Sequence, residues 1–304
     1  TKTGSILAIS GLKITDDKFS DVSSNIMLTS YTVGSVIKGA SNTVGYLNSV
    51  IEKGKKIKDG CVKIHYVPKK CSFKDLGYLD DITALKQSSN YYQFMTAIKL
   101  TGNTYKYNMD LPVTEANFNT YRNIFALFGL GSSTGIDFPK ENIGIKGQTI
   151  SSDLYLNLAI GQYDTYTPLQ ILNYINTIAS SGIRYKLSFA KKEPVVLNII
   201  NLDEDSFNRI KEGFYQVVNG GTANNYVDRK YQAAGKTGTA QSYYSKDITT
   251  INTTFAVFMP KDDPKYSMVI MNPNISIENA KVKYNAPLSR LISKEITNYM
   301  FANG

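Results

Sequence analysis

A serine followed three positions later by a lysine, Ser35-Val36-Ile37-Lys38, can make a nucleophile. On a helix this offset sets both side chains on one face, one turn apart. A lysine kept unprotonated by burial or by a neighbouring cation can take the hydroxyl proton. Backbone N–H groups at the helix start can then hold the resulting oxyanion. Alone the pattern says little, since it arises by chance about once or twice in a chain of this size and equally describes a solvent-facing helix start. Two further motifs keep it company. Ser88-Ser89-Asn90 breaks an apolar helical pattern with three small polar residues, which lowers helix propensity. A loop or cap accounts for that; so does a hydroxyl and an amide offered to a cleft, one relaying protons and the other gripping a peptide bond. Lys236-Thr237-Gly238-Thr239 lies in a strand-like stretch. Alternation there sends Lys236 and Gly238 to one face and Thr237 and Thr239 to the other. Gly238 also removes a side chain where a second backbone could approach, although a glycine-weakened surface strand would read the same way.

A different chemistry is suggested by Cys61, His65 and Cys71, which are both cysteines and the single histidine of the chain gathered into eleven positions. Two thiolates and an imidazole suit tetrahedral zinc completed by a carboxylate, with Asp59 the preferred fourth ligand and Asp75 its rival. A hairpin turning near Pro68 would bring the cysteines together, so a Cys61–Cys71 disulfide competes, as do two free thiols with a surface histidine. The expectation carried forward is a structural zinc, closed to water, bracing the loop that holds Ser88 to Asn90. No organic cofactor is expected.

These residues must be positioned by a folded chain. Its 304 residues are 42% hydrophobic and 19% charged, which is ordinary for a globular domain and too apolar for disorder. No apolar run is long enough to span a bilayer. The balance of 34 Lys+Arg against 25 Asp+Glu gives +9, but the lysines are dispersed, so nucleic-acid binding is not expected. Solubility explains the charge most simply, and an anionic surface such as a cell wall or lipid headgroups would suit it too. Periodicity and stop signals predict a strand at 5–10 and helices at 35–51, 83–100, 115–128, from Thr167-Pro168 to about Gly182, and 203–218. Strands are predicted at 233–243, 253–259 and 266–271. A closing helix over 287–300 would turn Leu288, Leu291, Ile292, Ile296 and Met300 inward. This order predicts an α/β protein of α+β type: a central antiparallel sheet flanked by helices, with a helical subdomain. The first strand is expected to join the late ones. The expected unit is one domain over 1–304, with a loop and hairpin insertion at about 52–80.

The three motifs in this order and at this spacing resemble the transpeptidase domain of the class B penicillin-binding proteins. The likeness extends over nearly the whole chain. It includes Tyr31-Thr32-Val33-Gly34-Ser35, Ile160-Gly161-Gln162 followed by Thr167-Pro168-Leu169-Gln170, Gly221-Thr222-Ala223, and Gly235-Lys236-Thr237-Gly238-Thr239-Ala240. The resemblance implies the penicillin-binding protein and serine β-lactamase fold, with Ser35 as nucleophile, Lys38 as its base and Ser88 relaying protons. It implies that Asn90, Lys236, Thr237, Gly238 and Thr239 bind substrate, with the backbone N–H groups of Ser35 and Thr239 as oxyanion hole. The substrate would be a peptidoglycan stem peptide ending in D-alanyl-D-alanine, and β-lactams would acylate the same serine. A D,D-carboxypeptidase, a serine β-lactamase or a β-lactam sensor domain uses the same motifs. A class A β-lactamase fits less well, because Ser89 stands where that class has an acid. A non-catalytic wall-binding module is a further alternative, disfavoured by the intact motifs. The resemblance further implies a longer protein, anchored to the membrane upstream of a pedestal domain, on the extracytoplasmic face of a bacterial cell and beside a glycosyltransferase partner. Some elongation-type members of the family hold zinc in the segment between the first two motifs.

Overall fold

In the computed structural model, which describes residues 1–15, 17–277 and 288–302, the N-terminal segment does not join the main sheet. The strand expected at 5–10 makes one parallel bridge, Ser5 with Ser188. An exposed hairpin follows, β1 (Leu12–Thr15) against β2 (Lys18–Asp21). The reason lies at Gly4, whose φ is +72° and which sits so near the Lys186 carbonyl that a Cβ would lie 2.1 Å from its oxygen. That contact leads the chain along 186–188 instead of along the sheet. The start of the chain still meets the late strands, because the Thr1 amino group donates to the Lys265 carbonyl at 2.9 Å.

A one-turn helix, α1 (Asn25–Leu28), precedes the Ser-x-x-Lys segment. Gly34–Ile37 forms a 3-10 turn that runs into α2 (Lys38–Leu47), so the predicted helix begins as a tighter turn. Lys38 through Tyr46 are all buried, which makes α2 the central helix. Its glycines allow close packing: a Cβ at Gly39 would lie 2.7 Å from the Tyr174 hydroxyl. Beyond it, two short ladders nest one inside the other. The outer pairs β3 (Ile57–Lys58) with β6 (Tyr78–Leu79), and the inner pairs β4 (Cys61–Val62) with β5 (Lys70–Cys71).

The helix predicted over 83–100 is two helices, α3 (Asp81–Lys86) and α4 (Asn90–Leu100). Between them Ser88 takes φ +56°. Asp80 and Thr83 form a capping box on α3, and the Ser89 hydroxyl caps α4 by accepting the Tyr92 N–H at 3.0 Å. Serines and aspartates offer the backbone such alternatives to continued helix. Next come α5 (Glu115–Leu127) and α6 (Ser152–Ala159), the latter unforeseen. Helix α7 (Pro168–Ala179) starts at Pro168 under a Thr167–Gln170 capping box. A small ladder, β7 (Ile183–Tyr185) with β8 (Val196–Ile199), separates it from α8 (Glu204–Val218), which Asp203 caps.

The main sheet is β9 (Ala234–Ser245), β10 (Ile248–Met259) and β11 (Tyr266–Ile277), antiparallel in the order β11-β10-β9. Alternation along β10 divides its side chains between two cores. Ala256 and Phe258 join the large core with Tyr174 and Ile178 of α7 and Phe214 of α8. Phe255, Val257 and Met259 face the other way, with Ile292 and Phe301 of the last helix, α9 (Leu288–Ala302). Helix α9 corrects the expectation about its inner face. Leu291 and Ile296 are exposed, at 52% and 38%, while Ser289, Ser293 and Thr297 are buried. Each hydroxyl finds a partner: Ser293 donates to the Tyr226 carbonyl at 2.6 Å, Thr297 to Ser293 at 2.7 Å, and Ser289 accepts from Asn272 at 2.8 Å. Small, satisfied side chains let the helix lie close to the sheet. Pro287, the expected first residue of that helix, lies outside the described residues.

Candidate active site

Ser35 sits half-buried in the 3-10 turn, and three glycines hold that turn against its neighbours. Gly34 has φ +60°, a conformation that side chains resist, and a Cβ there would lie 2.3 Å from the Thr239 carbonyl oxygen of β9. A Cβ at Gly238 would lie 2.2 Å from the Val33 carbonyl oxygen, and one at Gly161 would lie 2.2 Å from that of Gly34. These contacts bring the turn, β9 and the segment after α6 to backbone distance, placing Thr239 next to the nucleophile. The Gly34 N–H donates to the Gly161 carbonyl at 2.9 Å. Behind the turn, the Tyr174 hydroxyl of α7 donates to the Val36 carbonyl at 2.9 Å, and the buried Asn252 of β10 donates to the Thr32 carbonyl at 3.1 Å.

The motifs converge on two lysines, both fully buried. Lys38 donates to Asn90 Oδ1 at 2.7 Å and to the Ser88 carbonyl at 2.8 Å, with Ser88 Oγ at 3.5 Å. Lys236 donates to Ser88 Oγ at 2.8 Å and to the Thr237 carbonyl at 3.0 Å. The Ser88 hydroxyl therefore lies between the two amine-bearing side chains. Its left-handed backbone turns both its oxygens toward them, at a site where a helical residue could not. Burial holds Lys38 well below the ordinary lysine range, the charge of Lys236 pushes it further down, and Asp59 opposes them. Burial alone lowers Lys236 to about 7. An uncharged Lys38 beside a chargeable Lys236 is the condition under which a serine hydroxyl one turn away gains a base.

Along β9, Thr237 is half-buried and Thr239 exposed, so both are reachable from the cleft, while Gly238 packs on the nucleophile turn. The Thr237 hydroxyl lies 2.7 Å from that of Thr222. Thr222 belongs to the Gly221-Thr222-Ala223 signature, which assigns it no role; nothing in a turn sequence shows that its hydroxyl reaches across to β9. Thr222, Thr237 and Thr239 offer hydroxyls that could donate to a carboxylate, while the neighbouring Lys236 is fully buried and hydrogen-bonded to Ser88.

The zinc expectation is corrected. Cys61 and Cys71 stand directly opposite in the β4–β5 ladder and form a disulfide, with Cα atoms 4.2 Å apart. The bond uses both thiolates. His65 lies beyond the ladder, stacked on Tyr66 with ring centroids 3.8 Å apart and its Nδ1 2.8 Å from Asp110. Asp59 is turned to the Ser72 and Ser89 hydroxyls, and Asp75 accepts the Gly77 N–H at 2.9 Å. The side chains expected as ligands diverge and do not fit a tetrahedral zinc site, and among the described residues no cluster of histidine, cysteine and carboxylate groups could hold a metal. Cysteines directly opposed in a ladder are placed to be joined once oxidised, while a histidine four positions along leaves the ladder altogether.

Comparison with known proteins agrees with this geometry. Residues 1–296 match the family described as the penicillin binding protein transpeptidase domain. Penicillin-binding protein 2A of Bacillus subtilis is 36% identical over 301 residues, covering 90% of this chain and 42% of that protein. Penicillin-binding protein H of the same organism is 34% identical, with the same coverage of 90% and 42%. The structure of penicillin-binding protein 2B from Streptococcus pneumoniae superposes with a TM-score of 0.89 at 27% identity, covering 99% of this chain and 53% of that one. The chain thus spans less than half the length of the curated relatives it matches.

Proposed function

This chain belongs to the penicillin-binding protein transpeptidase family, and on that premise we propose that it is a serine D,D-transpeptidase acting on peptidoglycan stem peptides that end in D-alanyl-D-alanine. The observation that carries the reading is the pair of buried lysines meeting at the Ser88 hydroxyl. Ser35 Oγ attacks the carbonyl carbon of the penultimate D-alanine while Lys38 takes its proton. The oxyanion forms beside the backbone N–H groups of Ser35 and Thr239. Ser88 carries the proton to the departing D-alanine amine, whose bond to the carbonyl breaks. Lys236, Thr237 and Thr239 hold the terminal carboxylate, and Asn90 binds the peptide while keeping Lys38 in place. An amine from a neighbouring strand then attacks the Ser35 ester and forms the crosslink as the bond to Ser35 Oγ breaks, the amine proton returning to that oxygen through Lys38. β-Lactams acylate Ser35 by the same attack, the ring C–N bond breaking with its protonated amine still attached to the acyl group.

The full-length protein is proposed to work at the extracytoplasmic face of a bacterial membrane, held there by a further segment and paired with a glycosyltransferase. Both proposals rest on the family resemblance. The test of the central reading is intact-mass measurement after exposure to benzylpenicillin, with peptide mapping. One adduct on Ser35, persisting for many minutes and absent from Ser35→Ala, is the expected result. Release within seconds assigns the chain to the hydrolases instead, and an adduct on Ser35→Ala removes the nucleophile assignment.

A further inference from the structure

We propose that Asp59 is a positioning residue for acyl transfer, holding through the hydroxyls of Ser72 and Ser89 the turn that presents Ser88 and Asn90 to Lys38. The inference rests on the transpeptidase reading above. Asp59 is 5% exposed. Its Oδ1 accepts from Ser89 Oγ at 2.6 Å and from Ser72 Oγ at 2.9 Å. Ser72 Oγ in turn accepts the backbone N–H groups of Asn90 and Tyr91, each at 3.2 Å, and Ser89 Oγ accepts that of Tyr92 at 3.0 Å. The unpaired N–H groups of the first turn of α4 thus end on two hydroxyls, and both hydroxyl protons end on one carboxylate oxygen. A hydroxyl has one proton to give and can accept twice, so this arrangement saturates Ser72. The positive end of α4 faces the negative group through it.

Two features separate this from ordinary helix capping. The capping group of α4 is the Ser89 hydroxyl itself, so Asp59 is not the cap, and a buried charge is costly unless it is well compensated. Asp59 has no ion pair among the described residues, and its Oδ2 has no hydrogen-bond partner there. The compensation available is the α4 terminus and Lys38. Asp59 raises the proton affinity of Lys38, against burial and Lys236, which lower it. These are the charged groups acting on Lys38: Lys236 from β9 and Asp59 from the loop before β4. Ser88 and Asn90, from the α3–α4 junction, are neutral. The disulfide completes the device, because Asp59 precedes Cys61 by two residues and Ser72 follows Cys71, so the crosslink fixes the spacing of acceptor and hydroxyl.

The experiment measures the second-order rate of Ser35 acylation by benzylpenicillin across pH, with thermal unfolding alongside, for the wild-type chain and three variants. Asp59→Ala should lower the plateau by about 100-fold, the effect of a small misplacement of reacting groups. Asp59→Asn keeps the acceptor and loses the charge. Its plateau should stay within about fivefold of wild type, and its acid limb should move to lower pH because Lys38 loses a stabilising anion. Ser72→Ala keeps the charge, so its plateau should fall while its acid limb stays in place; it also serves should Asp59→Ala not fold. Wild-type rates in Asp59→Ala or in Ser72→Ala overturn the proposal. So do equal losses in both Asp59 variants with an unmoved acid limb, which would mark a role in folding alone. A wild-type chain that is not acylated overturns the transpeptidase reading itself, whereas acylation of the wild type with unaffected variants removes only the role of Asp59.

Discussion

The cleft around Lys38 and Lys236 and the small ladders over 57–79 lie side by side but are held by different physics. The lysines are buried completely within the large core, where Val36, Ile37, Ala40 and Phe214 exclude water, and no covalent link is needed. The ladders have four strands of two residues each. They expose Tyr66, Phe73 and Tyr78 to solvent at 90%, 67% and 69% and contribute only a few core side chains, Val62, Ile64 and Leu79 among them. Such a segment buries too little to order itself, and a disulfide with the polar contacts of Asp59 supplies the rest. Reactivity therefore comes from the region where burial is deep. Alignment of the second motif comes from the region where burial is shallow and the chain is stapled.

The comparison is tested most severely at Lys38. Lys38→Met keeps the buried volume and removes the base, so acylation of Ser35 should fall by about 10²- to 10⁴-fold while the fold persists. A loss below tenfold would mean that burial has not made this lysine the base. Next in size is Lys236→Met. In the unfolded chain this lysine titrates at its ordinary value, whereas in the folded chain burial brings it to about 7. Below that pH the folded protein carries a buried ammonium at full cost, and above the ordinary value both states are neutral. Lys236→Met should therefore be the more stable protein by a few kcal/mol at pH 7, with the advantage fading towards about pH 10. Paired denaturation curves at both pH values check this, and an advantage that grows with pH would contradict it.

In the stapled region, Cys61→Ser/Cys71→Ser should cost about 2–3 kcal/mol of stability, as expected for opening a loop of this length. It should also slow acylation, because Asp59 and Ser72 are no longer held at fixed spacing. Equal rates with lowered stability would confine the crosslink to a structural role. His65→Ala should change stability by no more than about 1 kcal/mol, since it removes a pair with the exposed Asp110 at the surface. A large loss there, accompanied by zinc in elemental analysis, would restore a metal to this hairpin.

Much of the architecture was legible because the signals are local. The helix opened by Thr167-Pro168, the helix over 203–218 and the three late strands stand where periodicity and stop signals place them. Errors fell where a local preference competed with a distant partner. The 83–100 pattern is helical throughout, yet Ser88 leaves the helix because its hydroxyl and carbonyl are claimed by lysines 148 and 50 residues away. Periodicity along α9 gave the leucines the inner face, but its close contact with β11 and the Tyr226 carbonyl favours small hydroxyl residues.

By itself the order of residue types determined which side chains could do chemistry, since a serine three positions before a lysine fixes their relation through helix geometry alone. It could not determine the state of those groups. Whether Lys38 is neutral depends on burial and on Lys236, and both come from strands and helices that meet only when the chain has folded. The cysteines and histidine show the converse, crowded in sequence and parted in space, because a two-residue ladder opposes Cys61 to Cys71 and leaves His65 outside it. Spacing along a chain restricts what neighbours can do within one turn or one hairpin, and everything longer in range is settled by what packs against what.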